Sequence, residues 1–157
     1  MDVSELVNKL KSSRKYEGQI MHIEDIPAKE PVYSSAELKP LINYALGEMG
    51  IKQLYMHQAE AVEKSREGKN IVLSTSTASG KSLCYMLPIF ETIMEDPSAT
   101  ALYISPLNAL VNDQLQTFRN FSQLMGLDIN INRFIGSMPK DEKDAVKYKP
   151  KDSFYQS

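Results

Sequence analysis

The sequence predicts an α/β fold: a parallel sheet flanked by helices and preceded by a mainly helical N-terminal arm. Three observations predict it. The apolar runs Ile71-Val72-Leu73 and Ala101-Leu102-Tyr103-Ile104, and the alternation of Ile129, Ile131, Arg133 and Ile135, have the length and composition of strands. Between them lie two longer segments, 83–94 and 108–125, whose apolar residues recur at three- and four-residue spacing, as on one face of a helix. The connections are short, and a helix that crosses between two strands of one sheet sets them parallel.

Bulk properties narrow the class. With 157 residues the chain suits one core, and 42% apolar with 24% charged residues is an ordinary globular composition. A net charge of -2 provides no general attraction to nucleic acid, so any such contact must come from local groups. Cys84 is the single cysteine, which excludes an internal disulfide or a thiolate zinc site and makes a reducing cytoplasm the default. His22 and His57 are too few and too far apart to suggest a histidine metal centre. Residues 1–11 hold no apolar run long enough for a signal peptide or a membrane span.

Taken in order, residues 4–17 are expected to be helical, with Ser4 as cap, Leu6, Val7 and Leu10 on one face, and Gly18 as the stop. A short strand is expected at 19–23. Pro27 and Pro31 then make 24–35 a connecting arm. Pro40 suits the first turn of a helix reaching Glu48, with Leu41, Ile42, Ala45 and Leu46 as its buried stripe and Gly50 closing it. Residues 59–66 have helical composition and end at Gly68. Leu83, Met86, Leu87, Phe90, Ile93 and Met94 mark the next helix, in which Pro88 should cause a kink. The helix over 108–125 should bury Leu110, Val111, Leu115, Phe118 and Leu124 and stop at Gly126. Residues 141–148 form a polar helix. The domains expected are an arm and linker over 1–50, a nucleotide-binding portion over 51–149 and a tail over 150–157.

Chemistry concentrates in Ser74-Thr75-Ser76-Thr77-Ala78-Ser79-Gly80-Lys81-Ser82, between an expected strand and an expected helix. A phosphate-binding loop needs small residues so that successive N–H groups can point at one anion. It also needs a helix N-terminus, a lysine for the outer phosphates and a hydroxyl for magnesium. Thr75 stands where the full pattern has its first glycine, so Gly80-Lys81-Ser82 is the strict core.

Three segments together resemble the first motor domain of superfamily 2 helicases of the DEAD/DEAH-box type. Leu54-Tyr55-Met56-His57-Gln58-Ala59-Glu60-Ala61 resembles the Q motif, Ser76–Ser82 motif I, and Ser105-Pro106-Leu107-Asn108-Ala109-Leu110-Val111-Asn112-Asp113-Gln114 motif Ia. Gly136-Ser137-Met138-Pro139 stands where that family has a backbone-binding turn. Residues 16–30 resemble the lead-in of a branch of DNA helicases ending in a cysteine-rich zinc-binding domain.

The resemblance implies a partial RecA-like domain, ATP and Mg²⁺ as cofactors, and a nucleic-acid strand as partner, with DNA favoured over RNA. It places Gln58 on the adenine edge, Thr77, Ala78, Ser79, Gly80 and Lys81 around the phosphates, and Ser82 on Mg²⁺. Ser105, Pro106, Asn108, Gln114 and Gly136 become candidate contacts to nucleic acid, although Leu107 and Asn108 replace the basic or threonine-bearing turn common in the family. The string Asp141-Glu142-Lys143-Asp144 has the letters of the acidic magnesium motif but follows a polar turn, not a buried strand, and reads as a solvated helix start. The change of composition after Lys149 reads as a truncation, a frameshift product or an expressed fragment. No catalytic acid, arginine finger or second RecA-like domain is visible, so the expectation is a helicase portion with negligible turnover of its own, whose partners include the missing helicase portion. The alternatives are a non-enzymatic ATP-binding or helicase-interacting module and a small P-loop NTPase.

Overall fold

The computed structural model describes residues 2–24, 26–27, 30–76 and 79–148, with the side chains of 147 and 148 outside the description. It forms two units, 1–30 and 31–157. The first holds α1 (Val3–Lys11), whose cap is Asp2 and not Ser4: Asp2 Oδ1 accepts from the Val3 N–H at 2.7 Å. Helix α1 is shorter than the 4–17 expected and buries none of its residues. No strand forms over 19–23.

The second unit comprises β1 (Tyr33–Ser34), α2 (Pro40–Glu48), β2 (Leu54–Tyr55), α3 (Met56–Arg66), α4 (Lys81–Glu95), α5 (Asn108–Leu124) and α6 (Lys140–Tyr148). Helices α2, α3 and α5 end alike. Gly50, Gly68 and Gly126 take positive φ, and the next N–H reaches back five residues, as in Ile51 to Leu46, Lys69 to Lys64 and Leu127 to Ser122. Each is a Schellman ending, which pairs carbonyls that a helix terminus would otherwise leave open.

The core lies among these helices. Helix α2 buries Ile42, Ala45 and Leu46, whereas Leu41, expected in the same stripe, faces out. Helix α3 packs along α4, and α2 packs on α5. Between α4 and α5, Phe90 lies 5.6 Å from Phe118 and 5.1 Å from Phe121, and Tyr85 adds a fourth ring 6.2 Å from Phe118. Phe121 joins Val111, Leu115 and Phe118 as the buried stripe of α5, and Leu110 is exposed. Under this core, Arg66 grips the buried Glu91: Nε and Nη2 donate to its two carboxylate oxygens at 3.0 and 2.6 Å.

The sheet differs from expectation. Among the described residues the strands are β1 and β2 alone, antiparallel, with Tyr33 opposite Tyr55. The segments 71–73, 101–105 and 127–135 form no ladder, so the parallel sheet expected there is absent from the described residues. Burial nonetheless alternates in 101–105: Leu102 and Ile104 are 57% and 59% exposed, while Tyr103 is half-buried and Ser105 buried. The physical reason is that a strand is completed by a neighbour. Apolar period-two composition sets which side chains face the helices, but the backbone becomes a strand only where another chain segment pairs with it.

Candidate nucleotide site

The site is built where β2 runs into α3 and where the glycine turn opens α4. Gly80 stands at the N-cap of α4 with φ of +73°. A β-carbon there would come within 2.5 Å of the Gln58 amide nitrogen, so this position is closed to side chains for reasons of both backbone and space. Gln58 is 2% exposed, and its carboxamide is engaged at both ends. Oε1 accepts from the Tyr55 N–H at 2.9 Å, and Nε2 donates to the Gly80 carbonyl at 2.9 Å.

His57 reaches the same loop, its Nε2 standing 2.9 Å from the Ser79 carbonyl. It extends an aromatic column: Tyr33 stacks on Tyr55 at 5.4 Å across the ribbon, and Tyr55 on His57 at 5.7 Å. Lys81 Nζ turns back onto the loop, donating to the carbonyls of Ser76 at 2.5 Å and Thr75 at 3.2 Å, with the Ser79 hydroxyl at 3.4 Å. Three donors of one ammonium thus meet oxygens of the loop itself. A phosphate oxygen would have to exchange with one of them.

Gln58, Ser79, Gly80 and Lys81 are therefore brought together, with Ser82 in the first turn of α4. Thr77 and Ala78 lie outside the described residues. Ser82 is half-buried. Burial pushes the Tyr85 phenol up to about 12, against the pull of Ser82, so it remains a protonated donor. Its hydroxyl donates to Gln114 Oε1 at 2.6 Å. For magnesium, the Ser82 hydroxyl fits a single coordination position, the remaining ligands being of the kind that phosphate oxygens and water supply.

The nucleic-acid candidates are spread along α5 and beyond. Ser105 is buried, Pro106 and Asn108 are exposed, and Gln114 faces α4 through Tyr85. Gly136 is tied to α6, its carbonyl accepting from Lys143 Nζ at 2.6 Å. Asp141 and Glu142 lie exposed in the first turn of α6, as a solvated helix start should. A cavity of about 710 Å³ beside α2, lined by Tyr33, Asn43, Leu46, Lys52 and Leu54 among others, does not include Lys81, so the hydrogen bonds around Gly80 mark the site better than it does.

Sequence reasoning missed Tyr33, His57 and Tyr85 as parts of this site. For His57 the signal was its place beside Gln58. For the two tyrosines it was absent, because the stack and the Gln114 bond join residues 22 and 29 positions apart.

Comparison with known proteins decides the family. The pattern of the DEAD/DEAH box helicases matches residues 55–153. The chain belongs to that family. ATP-dependent helicase hrq1 of Schizosaccharomyces pombe is 32% identical over 92% of the chain, and ATP-dependent helicase HRQ1 of Saccharomyces cerevisiae 36% over 74%. The crystal structure of the DUF1998 helicase MrfA bound to DNA and AMPPNP matches with a TM-score of 0.84 at 29% identity over 99% of the chain. The chain spans 14% and 11% of the two fungal relatives and 22% of MrfA. It is thus similar to one portion of a DEAD/DEAH box helicase, the N-terminal region of the first motor domain. Among the described residues no helix is long and apolar enough to cross a membrane.

Proposed function

We propose that this chain is the ATP- and nucleic-acid-binding portion of an ATP-dependent DNA helicase of superfamily 2, with Gln58, Thr77, Ala78, Ser79, Gly80, Lys81 and Ser82 as the nucleotide seat. The observation that carries the reading is the convergence of Gln58 and Lys81 on one glycine turn at the start of α4. A helix N-terminus with an ammonium and small residues is the arrangement that favours a polyphosphate. Bound Mg²⁺ would neutralise phosphate charge, with Ser82 as its protein ligand. Gln58 is proposed at the adenine edge, where its carboxamide, 2% exposed and held by Tyr55 and Gly80, would exchange one of these hydrogen bonds for the base.

The partner proposed is a DNA strand, taken by Ser105, Pro106, Asn108, Gln114 and Gly136 through neutral donors to phosphate. MrfA, whose solved complex holds DNA and AMPPNP, supports DNA over RNA. The proposed organisation is an N-terminal helical arm and linker over 1–50, a partial RecA-like ATP-binding domain over 51–149 and a tail over 150–157, working in the cytoplasm. This portion holds ATP with negligible turnover, since its DExD-like letters lie on the exposed start of α6.

Titration of the chain with a fluorescent ATP analogue and Mg²⁺ tests the reading. Saturable binding that Lys81→Ala abolishes is the expected result. No binding by the unsubstituted chain overturns it, and steady ATP hydrolysis by the chain overturns the claim of negligible turnover.

A further inference from the structure

We propose that His57 is a positioning residue for the phosphate loop, its imidazole and the Gln58 carboxamide together holding the carbonyls of Ser79 and Gly80 turned away from the phosphate side. This rests on the reading that the loop receives a nucleotide. The geometry fixes the chemistry. A carbonyl oxygen can only accept, so at 2.9 Å from the Ser79 oxygen His57 Nε2 must carry the proton. The neighbouring carbonyl, that of Gly80, accepts from Gln58 Nε2 at the same distance. Two consecutive carbonyls of the turn are thus pinned by two consecutive side chains of α3.

A peptide unit is planar, so directing the C=O of Ser79 toward α3 directs the N–H of Gly80 the opposite way, and holding the Gly80 carbonyl does the same for the Lys81 N–H. Those N–H groups open α4. The loop is shaped for an anion from behind.

The imidazole is itself held. Tyr55 stacks on it nearly parallel, at 10°, with Tyr33 stacked on Tyr55 in turn. The backbone carbonyl of His57 takes a long contact from the buried Cys84 thiol of α4 at 3.8 Å. The ring is therefore fixed between the ribbon and α4, and Gly80 leaves no room for a β-carbon against Gln58. Removing the donor leaves the Ser79 carbonyl without its partner and frees the peptide to rotate.

Three substitutions in the full chain separate the donor from the stack. His57→Ala removes both. His57→Phe keeps a flat ring against Tyr55 but has no donor, and His57→Gln keeps an N–H donor of similar reach. Binding of a fluorescent ATP analogue with Mg²⁺ should weaken about fivefold to tenfold in the Ala and Phe variants, the worth of one hydrogen bond, and return to within about twofold in the Gln variant. Thermal melting identifies the variants that fold, and if His57→Ala does not, His57→Phe is the donor-free arm. Wild-type affinity in a folded donor-free variant overturns the proposal, as does a folded Gln variant that binds no better than Phe. If the unsubstituted chain binds no nucleotide, the functional reading fails and the clamp is decided by nitrogen NMR of His57. A slowly exchanging Nε2–H then supports it, and an Nδ1–H tautomer or a rapidly exchanging Nε2–H overturns it.

Discussion

The α2–α5 bundle and the three segments at 71–73, 101–105 and 127–135 both carry apolar residues in a regular pattern and are unlike in structure. The helices bury Ile42, Val62, Leu87, Phe90 and Phe118 almost completely, whereas Val72 is 94% exposed and Leu102 more than half. A helix satisfies its backbone within itself, so it needs only a face to pack against. A strand needs a neighbour first, and its apolar side chains are covered on both faces only when the sheet is. The helices therefore form a core, which Ile131 of the third segment joins, while Val72, Leu102 and Ile104 of the other two segments are left open.

The largest test of this contrast lies in the aromatic core. Phe118→Ala should cost about 3–5 kcal/mol in urea unfolding, since its ring touches both Phe90 and Tyr85 across α4 and α5. A cost near zero would break the distinction. Next is the Arg66 pair. Arg66→Ala strips the guanidinium from the buried Glu91, and because the Arg66 side chain is 37% exposed, solvent screening brings the cost down to about 1–3 kcal/mol. Replacing both partners with apolar residues of similar volume should recover part of that loss.

At the junction of the two regions, Gly80→Ala should cost about 1–2 kcal/mol in the same assay, from its left-handed φ and the contact with Gln58. On the open side, Leu102→Lys should leave the unfolding free energy within about 0.5 kcal/mol while reducing concentration-dependent light scattering. A large loss of stability there would show that Leu102 is already part of a core. The smallest effect is an electrostatic one after α4. The Ser98 hydroxyl and then the Ser98 N–H hold the Asp96 carboxyl below its ordinary range. A depressed carboxyl stabilises the fold above its unfolded pKa, so its contribution is complete near neutral pH and fades as pH falls through the lower folded value. Asp96→Asn should flatten the acid limb of melting temperature against pH slightly.

The spans of α2, α4 and α5 were legible because their signals are local, whereas α1 ends at Lys11 and not near Gly18. Pro40 at the first turn of α2, Gly50, Gly68 and Gly126 after three helix ends, and the period of α4 each act within a few residues. The phosphate loop was legible for the same reason, since Gly80-Lys81-Ser82 is contiguous. Leu41 and Leu110 were misassigned to the core because periodicity names a stripe and not its width. Ser4 lost the cap to Asp2, which sits one position before the first helical N–H and so can reach it.

By itself the sequence determined where α2, α4 and α5 run, where the glycine turn stands and which family the residues resemble, because those properties depend on residues close along the chain. Only the tertiary structure decided that two consecutive side chains of α3 hold two consecutive carbonyls of the loop, that three tyrosine and histidine rings stack behind them, and that the apolar segments 71–73, 101–105 and 127–135 stand unladdered. Hydrogen bonds and ladders between distant segments depend on which surfaces meet in space, and that information lies in packing, not in spacing.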